Sequence, residues 1–222
     1  MAENIIFTWS GGKDSTMALY ELQKNNNYKV SALLTTVTAG YNRISMHGTH
    51  NTLLDTQSKS LNIPLKEVYI SKNSSNKEYE TKMENILIIY RNQGISSVAF
   101  GDIFLEDLRR YREEKLSKIG LKAIFPLWKI DTAELAQRFI ALGFKAIITC
   151  IDSKRLNKTF VGRIFDKHFL SDLPSNVDPC GENGEFHSFV FSGPIFRKEI
   201  SYKIGKIVLR DERFYYCDLL PA

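Results

Sequence analysis

The chain reads as an α/β protein: a doubly wound parallel sheet followed by a smaller C-terminal α+β domain. Three observations predict this. Apolar runs of strand length alternate with amphipathic helical stretches as far as about residue 125. The first of these strands enters a paired-glycine turn that opens a helix. Beyond Ser153 the cadence weakens into loop, short helix and then a pattern of antiparallel strands. Residues 1–125 are therefore expected to form one domain and residues 126–222 a second, with the change of character between Phe125 and Ser153.

The elements follow in order. Asn4 to Trp9 is the first strand, and a helical pattern begins near Thr16, with Ala18, Leu19 and Leu22 as its buried stripe. Asn25, Asn26 and Asn27 end it before a second strand from Val30 to Val37. Thr38 to Asn42 is loop. Leu53, Leu54, Gln57 and Leu61 line one helical face, and Pro64 marks the entry to a third strand near Lys66 to Ile70. Met83, Ile86, Leu87 and Tyr90 have the i, i+3, i+4, i+7 spacing of a helix lying on a sheet, closed by Gly94. Ser97 to Phe100 is the fourth strand and ends at Gly101 and Asp102. A charged helix follows, then Phe125-Pro126-Leu127-Trp128, which is strand-like with Pro126 confining it to an edge. Asp131 to Glu134 has the form of a capping box for a helix that Gly143 ends. Ala146 to Ile151 is a buried strand, Val161 to Phe169 a short helix, and Ser201 to Leu219 closes a small sheet.

Chemistry concentrates in two stretches. In Ser10-Gly11-Gly12-Lys13-Asp14-Ser15 the glycines let the backbone come close to an anion, and the first amides of the helix point at it. Lys13 adds a positive charge, Ser10 and Ser15 add hydroxyls, and Asp14 is a candidate magnesium ligand. Walker A is excluded, since Asp14 stands where that motif needs Ser or Thr after the lysine. The second stretch, Asp178 to Ser188, gathers carboxylates, glycines, a thiol and an imidazole in one turn-rich segment. Glu182, Glu185 and His187 are candidate proton-transfer groups, and Cys180, Gly181 and Asn183 candidate substrate contacts. A polar hairpin satisfying its own backbone is the structural alternative. On the charged helix, Glu106, Arg109, Arg112 and Glu113 either face a substrate or form a solvated face of i,i+4 ion pairs. His47 is either near the substrates or an ordinary loop histidine.

Composition narrows the class. The net charge of +5 with interspersed signs suits anionic ligands without requiring nucleic acid, which is not expected as a partner. No leader or long apolar run is evident, so a cytoplasmic protein without membrane association is expected. Cys150, Cys180 and Cys217 suggest neither a disulfide framework nor a zinc site. The oligomeric state stays open, a homo-oligomer included.

The loop Ser10 to Ser15 resembles the SGGxDS signature of the PP-loop ATP pyrophosphatases. Together with Gly101 to Glu113, Phe125 to Trp128 and Gly181 to His187, in that order, it resembles the diphthine–ammonia ligase family over nearly the whole chain. The resemblance implies a PP-loop, adenine nucleotide alpha hydrolase-like domain at 1–125 and a substrate domain at 126–222, with a cleft between them. It implies an ATP-dependent ligase that adenylates a carboxylate, transfers ammonia to it, and releases AMP and pyrophosphate, with magnesium assisting. Ser10 to Ser15, Gly101 and Asp102 would then hold ATP, with Lys13 and Asp14 also catalytic. Arg43 to Gly48 and the Asp178 to His187 form look like the short bacterial branch of that family, and bacteria lack diphthamide. The acceptor carboxylate, on a small molecule or a protein, is thus left unassigned. Two alternatives remain: a tRNA-modifying PP-loop enzyme, and a nucleotide sensor without turnover.

Overall fold

The computed structural model of the protein describes residues 2–40, 43–44 as backbone, 48–72 and 74–222. Strand β1 (Glu3–Thr8) passes through the glycine turn into helix α1 (Lys13–Lys24). The helix opens ahead of Thr16 because its first turn is polar and is held by the loop, which apolar periodicity does not register. Strand β2 (Tyr28–Thr38) lies parallel to β1, and the two-residue β3 (Arg43–Ile44) pairs antiparallel with its end. Helix α2 (Asn51–Leu61), β4 (Leu65–Ile70), α3 (Asn76–Asn92), β5 (Ser97–Ala99), α4 (Glu106–Lys118) and β6 (Lys122–Ile124) follow.

The parallel strands stand in the order β4-β2-β1-β5-β6. The chain winds outward from β1 on one side and returns beside it on the other. The reversal falls between β1 and β5, the first and fourth strands of the parallel set, and a doubly wound sheet binds ligands beyond the carboxyl ends of such a pair. Strand alternation covers both faces: Ile5 and Phe7 enter one core while Ile6, with Leu34 and Val98, enters another beneath α3 and α4.

The second half contains α5 (Thr132–Ala141), β7 (Lys145–Asp152), a 3-10 turn (Lys158–Phe160), α6 (Lys167–Asp172), β8 (Phe186–Ser192), β9 (Tyr202–Arg210) and β10 (Phe214–Pro221). Its strands form an antiparallel sheet in the order β8-β7-β10-β9. Asp131 caps α5, its Oδ1 accepting from the Glu134 amide at 2.9 Å.

Two local expectations are corrected. Phe125 to Trp128 is a turn, closed by the Trp128 amide donating to the Phe125 carbonyl at 3.2 Å; Pro126 has no amide to extend a ladder. The helix expected over 161–169 is shorter and later. The Phe165 amide donates to the Ala146 carbonyl at 2.8 Å, which keeps this backbone extended beside β7, and Asp166 then caps α6 by accepting from Phe169.

The two halves share one core. Phe7, Leu33 and Leu54 from the first belong to the same buried cluster as Ile147, Phe186 and Phe189 from the second. The face of the parallel sheet that carries α1 and α2 is thereby closed by the antiparallel sheet, and β8 is brought against the glycine loop.

Candidate active site

The loop is built from its own hydroxyls. The Gly12 amide donates to Ser10 Oγ at 3.2 Å, Ser10 Oγ bonds Ser15 Oγ at 3.0 Å, and Ser15 Oγ donates to the Gly12 carbonyl at 2.9 Å. Gly11 turns the chain at φ +77°, in the left-handed region that side chains avoid. From the other side of the strand reversal, Gly101 approaches so closely that a Cβ there would lie 3.0 Å from the Ser15 amide nitrogen. A glycine at 101 therefore lets the end of β5 rest on the first turn of α1.

Strand β8 supplies the third wall. Ser188 Oγ accepts from the Lys13 amide at 3.1 Å, taking one of the donors that a helix start leaves unpaired, and the Val190 amide donates to the Gly11 carbonyl at 2.9 Å. The Lys13 ammonium, on a side chain only 4% exposed, bonds the Asp14 carboxylate at 2.8 and 3.0 Å and donates to the Cys180 carbonyl. It also lies 5.1 Å from the Phe186 ring centroid. Burial works against its charge, but Asp14 and the other acidic neighbours outweigh burial and hold it above its ordinary value. Burial lifts Asp14, with Lys13 pulling the other way.

These walls enclose a cavity of about 460 Å³. Ser10, Gly12, Lys13, Asp14 and Ser15 line one side of it. Gly101, Asp102 and Arg112 line the second side, and Gly181, Glu182 and His187 the third. Burial raises Glu182 to about 7, although its Oε1 accepts from the Ile103 amide at 2.8 Å. Burial, and then the Lys13 ammonium, lowers His187 to about 4, so its imidazole is neutral at pH 7. Arg112 is paired with Asp102 at 2.6 Å and lies over the Phe100 ring.

Other sequence candidates stand outside this lining. Glu185 is buried in the turn, where its Oε1 accepts from the Asp178 amide and from Asn183 Nδ2, both at 3.2 Å. The Cys180 thiol is buried and donates to the Thr132 carbonyl at 3.3 Å; burial pushes it well above the ordinary thiol range. On α4, Arg109 pairs with Glu113 at 2.7 Å and stacks on Trp128, while Glu106 meets Lys129 at 3.2 Å on the surface. That part of the charged helix is the solvated face of ion pairs, and Arg112 is the member turned inward. His47 lies outside the described residues. Among the described residues no group of three or more His, Cys, Asp or Glu is arranged to hold a metal.

Three contributors were not singled out from sequence as site residues. Ser188 carried no mark beyond its place in the turn-rich stretch. Gln57 did carry one, as the polar member of an apolar helical stripe. Tyr79 of α3 lines the cavity with no signal in the sequence.

The family model described as diphthamide synthase N-terminal domain matches residues 3–123, and that described as diphthamide synthase C-terminal domain matches residues 131–218. The chain is 30% identical over 141 residues to a Mus musculus protein named diphthine–ammonia ligase, covering 60% of this chain and 51% of that protein. A Saccharomyces cerevisiae protein of the same name is 25% identical over 225 residues, covering 85% of this chain and 33% of its own length. One from Schizosaccharomyces pombe is 28% identical over 118 residues, 51% of this chain and 19% of the relative. The chain spans about half the length of the mouse relative and less of the two yeast proteins. Among the described residues no helix is long and apolar enough to cross a membrane.

Proposed function

We propose, since the chain belongs to the diphthamide synthase family, that it is an ATP-dependent amide ligase which adenylates a carboxylate and transfers ammonia to it, releasing AMP and pyrophosphate. One observation carries the reading: the glycine loop, the end of β5 and the Gly181 to Ser188 stretch all face a single cavity of about 460 Å³. Residues 1–125 supply the nucleotide side and residues 126–222 the acceptor side.

The triphosphate lies along Ser10 to Ser15, at the positive end of α1. An oxygen of the acceptor carboxylate attacks the α-phosphorus, the bond from that phosphorus to the bridging oxygen breaks, and pyrophosphate leaves. Lys13, kept protonated by its acidic neighbours, and the serine hydroxyls stabilise the departing charge. Ammonia then adds to the acyl carbon, the acyl–oxygen bond to AMP breaks, and the nitrogen loses a proton. Glu182, raised to about 7, is matched to receive that proton near neutrality, with the neutral His187 as a second acceptor. Asp14, the partly exposed carboxylate of the loop, would hold magnesium, which when bound would neutralise charge on the pyrophosphate.

The acceptor is a carboxylate on a small molecule or a protein, and the name of the relatives makes diphthine the first to try. The test is to quantify AMP and pyrophosphate from ATP with and without ammonium and candidate carboxylates. Equimolar AMP and pyrophosphate that depend on both co-substrates are expected. If neither product forms under any condition, the ligase reading is wrong.

A further inference from the structure

Gln57 of α2 is fully buried, and its amide is used at both ends. Its Oε1 accepts from Trp9 Nε1 at 2.9 Å, and its Nε2 donates to the Gly11 carbonyl at 3.1 Å and to the Val190 carbonyl at 2.6 Å. Val190 in turn donates its own amide to the Gly11 carbonyl. One side chain thus closes a ring through the end of the β1 segment, the first glycine of the loop, and β8. Helix α2 is tied again to the chain leaving β8, through Ser60 Oγ, which donates to the Lys198 carbonyl at 2.6 Å and accepts from its amide at 2.9 Å. A leucine would satisfy the apolar stripe of α2. A buried amide is costly unless its groups are paired, and here the pairing is to two segments that face the cavity from opposite halves.

We propose that Gln57 is a positioning residue that registers the glycine loop against β8, so that ATP bound at Ser10 to Ser15 orders the strand carrying His187 and Ser188. This rests on the placement of ATP in the ligase reading above. The reacting groups come from both halves of the chain, so a shift of about 1 Å between them costs on the order of 100-fold in rate, whereas ATP contacts made by the loop alone survive it.

The test uses the full chain and its Gln57→Leu variant, with ATP as the probe. In the wild type, ATP should slow amide hydrogen exchange both at 10–16 and at 186–192. In Gln57→Leu, protection at 10–16 and the ATP Kd should persist within about threefold, protection at 186–192 should vanish, and kcat should fall about 100-fold with little change in the KM for ATP. Unchanged kcat, or ATP-linked protection of 186–192 that persists in the variant, overturns the proposal. So does a parallel loss of ATP binding and kcat, which would make Gln57 a prop of the loop alone. If Gln57→Leu does not fold, Gln57→Glu keeps the acceptor for Trp9 and, once protonated, one donor; its coupling should recover as pH falls, and a flat profile overturns the proposal. Wild-type protein that shows ATP-linked protection of 186–192 but forms no AMP would sink the ligase reading and support the coupling.

Discussion

Replacing Gly101 by alanine should push the end of β5 away from the first turn of α1 on the nucleotide side of the cavity. The new Cβ would lie 3.0 Å from the Ser15 nitrogen, 3.1 Å from the Asp14 carbonyl carbon and 3.1 Å from the Ser15 Cα, where ordinary contact begins at 3.4 Å. All three neighbours are backbone in the first turn of α1, so none can swing aside, and relief requires β5 and α1 to part by roughly 0.4 Å. Overpacking of this kind costs about 1–3 kcal/mol, which for a chain of this size lowers Tm by about 2–12 °C. The displaced atoms belong to the loop itself, so ATP affinity should fall along with stability. Urea unfolding and calorimetric ATP titration of Gly101→Ala measure the two effects. A variant with wild-type midpoint and wild-type ATP affinity would refute the claim that close backbone approach at 101 shapes the loop.

Further outcomes are expected at other site residues. Glu182, at about 7 against an ordinary 4.5, binds its proton more tightly folded than unfolded, so the destabilisation from ionising it is absent below pH 4.5, sets in as pH rises and is complete once pH passes 7. Glu182→Gln should therefore raise Tm at pH 8 and leave it unchanged at pH 4, and it should abolish a limb of the kcat/KM profile that rises near pH 7. Lys13→Met leaves the half-buried Asp14 carboxylate without its partner, at a cost of about 1–3 kcal/mol in urea unfolding, and should slow pyrophosphate release by about 100- to 1,000-fold; a loss below tenfold would remove Lys13 from the chemistry. Ser188→Ala leaves the Lys13 amide without its acceptor and should cost about 1 kcal/mol by the same denaturation assay. Cys180→Ser should keep turnover within about threefold, and native protein should resist iodoacetamide at this position, since the thiol is buried and its anion disfavoured.

The readable parts of the site are those whose chemistry is local. Ser10 to Ser15 declares itself because a glycine pair, two serines and a lysine within six residues meet a requirement that neighbouring residues satisfy together. Arg112 shows where such reading stops. It shares a charged helix with Arg109 and Glu113, and only the rotation of α4 turns Arg112 toward Asp102 while leaving the other two paired with each other. Glu185 looked like Glu182 in sequence, yet one carboxylate is spent on the turn's own amides and the other faces the cavity.

The doubly wound cadence, the phosphate-type loop and the turn-rich second stretch are legible in the residues alone, because period, glycine placement and residue type act over a few neighbours. The sequence also marks Gly101 and Asp102 as the end of the fourth strand, which the resemblance assigns to the ATP side. That the antiparallel sheet packs on the parallel one with a shared core, setting Ser188 on the Lys13 amide and Val190 on Gly11, comes from the packing of the folded chain. The physical reason is separation along the chain. Gln57, Gly11 and Val190 are joined by hydrogen bonds between residues 46 and 133 positions apart, and no local preference in any of the three segments specifies the other two.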